Sequence, residues 1–135
     1  MTGILLDLGV ILGAIASLLH VVIFVMESVL WTRPTVWRRF GLKTADEAAT
    51  TQPLALNQGF YNLFLAIGTV IGLVFLSQPS LLQAGFALAF VCLGSMLAAS
   101  VVLLVSNPRL ARAALTQGLI PLLAIVALAI AAATA

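Results

Sequence analysis

The sequence predicts an all-α protein, a bundle of four transmembrane helices. Three observations predict it. Of 135 residues, 63% are hydrophobic and 7% are charged, and the mean hydropathy is +1.23, whereas soluble domains carry about 25% charged residues. The apolar residues gather into four runs, about 3–31, 54–76, 81–105 and 113–133, each long enough for the roughly 20 residues that cross a hydrocarbon core. None of the runs alternates polar with apolar residues as a barrel strand does, so the backbone groups must be satisfied within helices.

Span one begins without a Lys or Arg and carries Asp7 ahead of a long apolar run. A cleaved leader has a basic start and a shorter core, so this segment is expected to remain as a true span. The connection 32–53 holds Arg33, Pro34, Trp37, Arg38, Arg39, Lys43, Asp46 and Glu47. Within it, Val36 to Phe40 reads either as a short amphipathic turn at the headgroups or as a solvated basic loop. Span two follows, and Ser77-Gln78-Pro79-Ser80 turns the chain into span three. Ser106-Asn107-Pro108-Arg109 makes the next break, because the residue before a proline disfavours helix. Span four is rich in Ala and Leu, with Pro121 inside it; a kink is expected there. The whole chain reads as a single transmembrane domain.

All six basic residues lie in the first and third connections. An even number of spans puts those two connections on one side, and the positive-inside rule makes that side the cytoplasm. The expected arrangement is multi-pass in the plasma membrane of a bacterial cell, with both termini outside. Trp31 and Trp37 suit the interfacial aromatic belt of the cytoplasmic side. Six basic residues are too few for a nucleic-acid interface, despite a net charge of +2. The single cysteine, Cys92, has no Cys or His at metal-ligand spacing and reads as a small buried hydrophobe. No metal and no cofactor are expected.

Ionisable groups at membrane depth are costly and are functional candidates by default. His20 and Glu27 stand seven residues apart in span one, on one helical face about two turns from each other. Gly13, Ser17, Phe24 and Trp31 share that stripe, which should point into the bundle. In span two, Asn57, Gln58, Tyr61 and Asn62 spread over roughly 140° of one side at about 100° per residue. Gln117 and Thr116 add polar groups from span four, and Ser95 and Ser100 from span three. At about 1.5 Å per residue, His20 and Asn62 sit roughly 5 Å to the cytoplasmic side of their span centres. The outer halves are mostly apolar. These positions predict a polar pocket open to the cytoplasm, with His20 and Glu27 as candidate acid/base residues. Trp31, Asn57, Gln58, Tyr61, Asn62 and Gln117 are its candidate ligand-binding residues. The competing expectation is structural: polar side chains serve as interhelical hydrogen-bond glue, His20 donates to a backbone carbonyl, and Glu27 snorkels toward Arg33 or Arg38.

The strings His20-Val-Val-Ile-Phe-Val-Met-Glu27-Ser-Val-Leu-Trp31 and Asn57-Gln58-Gly59-Phe60-Tyr61-Asn62 resemble the family DUF1304. The resemblance covers nearly the whole chain in length and layout. Its specific part is H-x6-E-x3-W followed by N-Q-G-x-Y-N. It implies a small four-helix membrane protein and no established reaction. Where such proteins often carry an aromatic residue two positions after the histidine, this chain has Val22, which implies a difference in any site that residue lines.

Three function classes follow from these expectations. One is a site for a small apolar or lipid-like molecule, with or without acid/base chemistry of the isomerisation or hydration type. The second is a small oligomeric transporter or exporter, for which Glu27 is the candidate coupling carboxylate, although it lies near the rim. The third is a scaffold or accessory subunit. Small-residue faces at Gly68 with Gly72, and at Gly94 with Ala98, suit self-association or packing within the bundle. No nucleophile elbow, phosphate loop or nucleotide fingerprint occurs in the chain, which disfavours hydrolysis and phosphotransfer.

Overall fold

The computed structural model describes residues 2–134. Four long helices are each long and apolar enough to cross a membrane. Helix α1 (Thr2–Phe24) continues into a π-helical turn, Val25–Val29. A short helix α2 (Pro34–Trp37) and a 3-10 turn (Arg38–Phe40) lead to α3 (Ala45–Phe75), then α4 (Leu82–Ser106) and α5 (Ala111–Ala133). With these four apolar helices and no strand among the described residues, the chain is an all-α, multi-pass membrane protein.

Consecutive long helices run antiparallel and surround a common core. A Cβ on Gly9 would meet the side chain of Leu128, and one on Gly13 would meet Leu73. The start of α1 therefore lies against the ends of α3 and α5. At α3–α4, a Cβ on Gly72 would stand 2.8 Å from the backbone nitrogen of Ala89. The two backbones approach closely there because neither Gly72 nor Gly85 carries a side chain. Gly68 likewise faces Cys92, which is buried and unpaired. These small residues are used in packing within the chain, whereas Gly94 has open space beside it.

The main core gathers Ala16, Leu73, Leu76, Ala89, Leu93, Met96, Ala124 and Leu128. Around it, apolar side chains such as Ile4, Ile11, Leu18, Phe64, Val91, Val102 and Leu123 point outward. A surface this apolar is suited to lipid. Pro121 is fully buried inside α5, and the helix continues through it to Ala133.

The connection between the first two spans is more ordered than a loop. Helix α3 starts at Ala45, well before the apolar run of span two, because Thr44 and Glu47 form a capping box. The Glu47 backbone N–H donates to Thr44 Oγ1 at 3.1 Å, and the Thr44 N–H donates back to Glu47 Oε2 at 3.3 Å. Each bond satisfies a donor that an uncapped helix start leaves free. Gly41, at φ 86, takes the left-handed turn that ends the preceding 3-10 segment, a conformation glycine adopts without steric cost. The segment Val36 to Phe40 is amphipathic: Val36 and Trp37 are buried while Arg38 and Arg39 are exposed.

Trp31 and Trp37 lie where the connection between the first two spans meets the bundle. Both are buried, at 6% and 3% exposure, in a second small core with Ala48 and Ala55, flanked by Phe40 and Leu42. They cap the end of the bundle. An indole buried this way needs a partner for its N–H, and Trp31 Nε1 donates to the Ala48 carbonyl at 2.9 Å.

Candidate functional site

The polar residues of the spans divide into two groups. In the first, each side chain bonds to its own helix. Ser17 Oγ donates to the Gly13 carbonyl at 2.9 Å, Thr69 Oγ1 to Leu65 at 2.9 Å, and Ser100 Oγ to Leu97 at 2.7 Å. His20, 2% exposed, places Nδ1 2.9 Å from the Ala16 carbonyl oxygen. A carbonyl only accepts, so Nδ1 carries the proton of that bond. Bonding one turn back satisfies a hydroxyl without linking helices. Ser17, His20 and Ser100 are therefore satisfied within their own helices rather than by a neighbouring one.

The second group does link elements. Three of these side-chain hydrogen bonds gather at one corner of the bundle. Asn62 Nδ2 donates to Glu27 Oε2 at 3.0 Å, Ser28 Oγ to the Leu56 carbonyl at 3.0 Å, and Trp31 Nε1 to Ala48. This corner is where α1 becomes a π-helical turn. The Leu30 N–H reaches the Val25 carbonyl at 2.9 Å, five residues back. The wider turn changes the direction in which Glu27 leaves the helix relative to a continuous α-helix. Such turns are frequent at functional sites.

Gly59 sets how closely α3 approaches that turn. A Cβ there would stand 3.1 Å from Glu27 Cβ and 3.2 Å from the Phe24 carbonyl oxygen, and would overlap Ser28 Oγ. Its missing side chain allows α3 to press against the π turn, which brings Asn62 within reach of Glu27. Asn62 also donates from Nδ2 to the Gln58 carbonyl at 3.1 Å, so both of its amide hydrogens are engaged.

Glu27 is 8% exposed and lines an open cleft of about 300 Å³ between the end of α1, the connecting segment and the start of α3. Trp31, Phe40 and Leu42 form one wall; Thr51, Leu54, Ala55 and Gln58 form the other. The Trp31 and Phe40 rings meet at 5.1 Å and 58°. Thr51 turns its hydroxyl back to the Glu47 carbonyl at 2.7 Å. None of the residues lining the cleft is basic. A larger groove of about 390 Å³ lies between α1 and α3, lined by residues such as Ala14, Leu18, Ala66 and Ile71. Its one polar side chain, Ser17, is already bonded to Gly13, so nothing in that groove selects a ligand's polar atoms.

Of the expected site residues, Glu27, Trp31 and Gln58 come together in the cleft, and Asn62 holds Glu27 from behind. His20 does not line the cleft. Asn57 and Tyr61 are exposed, and Gln117 is half-buried on α5, beside Gly118, which packs on Ser100. The sequence reasoning missed Phe40, Leu42, Thr51, Leu54 and Ala55. A readable signal existed for part of that wall. The Thr44-x-x-Glu47 pattern announces a helix start, and Thr51, Ala55 and Gln58 then fall on one face at i, i+4 and i+7. Among the described residues no group of His, Cys, Asp and Glu is placed to hold a metal ion.

No curated protein and no solved structure matches the chain. Residues 14–129, which include every residue of the cleft and its supports, match the model of a family described as a protein of unknown function (DUF1304), and the chain belongs to that family.

Proposed function

We propose that this protein binds a small amphiphilic molecule, apolar or lipid-like with one polar group, in the cleft at Glu27. The observation that carries the reading is the pairing of a buried carboxylate with otherwise mainly apolar walls. Small-molecule sites have this composition, a few fixed polar groups in an apolar concavity. A carboxylate removed from water is costly unless it has work to do. Its orientation is held by Asn62, as a site that must present one oxygen to a ligand requires.

In this reading Glu27 is the polar anchor, and Trp31 and Gln58 contact the ligand. Any acid/base chemistry falls to Glu27, because His20 sits about two turns away, bonded to its own helix. The basic connections face the cytoplasm of a bacterial cell, with both termini outside, so the ligand enters from the inner leaflet.

Native mass spectrometry of the protein released from mild detergent tests the proposal. A co-purifying small molecule is expected on the parent chain and lost from Leu54→Trp, which fills the cleft, and from Glu27→Gln. His20→Ala is expected to retain it. If the parent chain carries no molecule, and neither cleft variant changes thermal stability or cellular phenotype, the site reading is wrong.

A further inference from the structure

We infer that the ligand of the Glu27 cleft is a cationic amphiphile, an organic ammonium carried on an apolar chain; this rests on the cleft being a binding site, as proposed above. Three features of the lining select that class. The first is the carboxylate. Glu27 is buried on the cleft wall and its hydrogen-bond partner is the neutral amide of Asn62. No basic side chain lines the cleft to balance it, although four basic residues lie nearby in sequence, Arg33 to Lys43. A carboxylate in such surroundings gains most from a ligand that brings the missing positive charge. A ligand whose only charge is a phosphate or a carboxylate would instead meet a like charge, and a wholly apolar ligand would leave the carboxylate without compensation.

The second feature is the aromatic corner. The Trp31 and Phe40 rings meet at 58° and line the same cleft as Glu27. Ring faces attract cations, and aromatic corners are a recurrent way to hold a quaternary ammonium. Outside the cleft, the exposed Arg38 guanidinium already lies 5.2 Å from the Trp37 ring centre. The third feature is the shape and place of the cleft. It is open, its volume of about 300 Å³ accepts a headgroup, and Leu42 and Leu54 line it as apolar contacts for the carbon chain. An ammonium of this kind is supplied either by a free amphiphilic amine or by a choline-type lipid headgroup, and the recognition chemistry is common to both.

The test uses the full chain in uncharged maltoside micelles. Scintillation proximity reports binding of tritiated decyltrimethylammonium and of its uncharged isostere, in which a tert-butyl group replaces the trimethylammonium. The cation is expected to bind at least about tenfold more tightly than the isostere, the size of a desolvated attraction of a quaternary cation to ring faces and a carboxylate. Glu27→Gln is expected to remove that preference while leaving the isostere's affinity unchanged. Phe40→Leu, which keeps the wall apolar and does not touch the Asn62 contact, is expected to weaken the cation severalfold and the isostere little; it keeps the test decisive if Glu27→Gln does not fold. Displacement of the cation by lysophosphatidylcholine assigns the lipid headgroup as a source, and failure to displace assigns free amines. Equal binding of cation and isostere, or a cation preference that survives both substitutions, overturns the ammonium assignment and leaves the cleft as a site. Binding of neither compound to the parent chain, with no molecule found by mass spectrometry, overturns both.

Discussion

Asn62 and Glu27, 35 residues apart in sequence, are joined by a 3.0 Å hydrogen bond from the asparagine amide to the carboxylate. The bond crosses from α3 to the π turn that ends α1. It exists because Gly59, one turn earlier on α3, lets the two segments approach. Asn62→Ala removes a donor from a buried carboxylate and is expected to lower stability by about 1–3 kcal/mol. Asn62→Asp places a second carboxylate beside the first and is expected to cost more. Unfolding in mixed micelles with increasing denaturing detergent measures both, and an Asn62→Ala midpoint equal to the parent's would show that the bond contributes nothing.

Gly59→Ala tests the approach itself. The new methyl group must displace Ser28, which then loses its bond to the Leu56 carbonyl, and must push against a backbone oxygen. Overpacking of this kind costs about 1–3 kcal/mol. The expected result is a lower unfolding midpoint together with loss of the co-purifying ligand. Gly94→Ala serves as the control, because a Cβ there meets nothing; its midpoint should equal the parent's or exceed it by the helix preference of Ala over Gly.

Trp31 is expected to tolerate loss of its hydrogen bond better than loss of its volume. Trp31→Phe leaves the Ala48 carbonyl without its indole donor, an effect of about 1 kcal/mol. Trp31→Ala empties a buried position and should cost about 3–5 kcal/mol. Thermal unfolding compares them, and equal losses would contradict the packing role assigned to this ring.

The capping box predicts local rather than global change. Thr44→Ala removes the acceptor of the Glu47 N–H, worth about 0.5–2 kcal/mol at a helix start. Hydrogen exchange should accelerate at Asp46 to Ala48 and stay unchanged in the middle of α3. Uniform acceleration across the helix would mean that the first turns are not an independent extension.

Orientation is checked by labelling intact cells. In a Cys92→Ala background, Thr134→Cys is expected to react with an impermeant thiol reagent added outside, and Arg39→Cys to react only after the cells are opened. The reverse pattern would invert the topology.

The residues differ in how much of their role could be read before folding. Glu27 and Trp31 were legible because an acid and an indole are conspicuous near the end of an apolar run. Gln58 and Asn62 were legible as polar positions on one side of a helix. His20 drew attention for the same reason, yet its ring bonds to Ala16 four residues back. A polar side chain at membrane depth has the same sequence signature whether its partner is local or across the bundle. Phe40 and Leu42 were hidden because they belong to a connection, where no helical period tells which way a side chain points.

By itself, the sequence determined the number of membrane-crossing helices and the gathering of all basic residues in two connections, but not the early start of α3 at Ala45. Those properties follow from the transfer of side chains between water and hydrocarbon, which each run of residues expresses alone. Only the tertiary structure decided which polar residues share a cleft. That depends on the rotation of each helix about its axis, and the rotation here comes from a π turn beside Ser28 and a missing side chain at Gly59. Neither changes the hydropathy of the chain, so no reading of apolar periodicity could have separated Glu27, at the cleft, from His20, outside it.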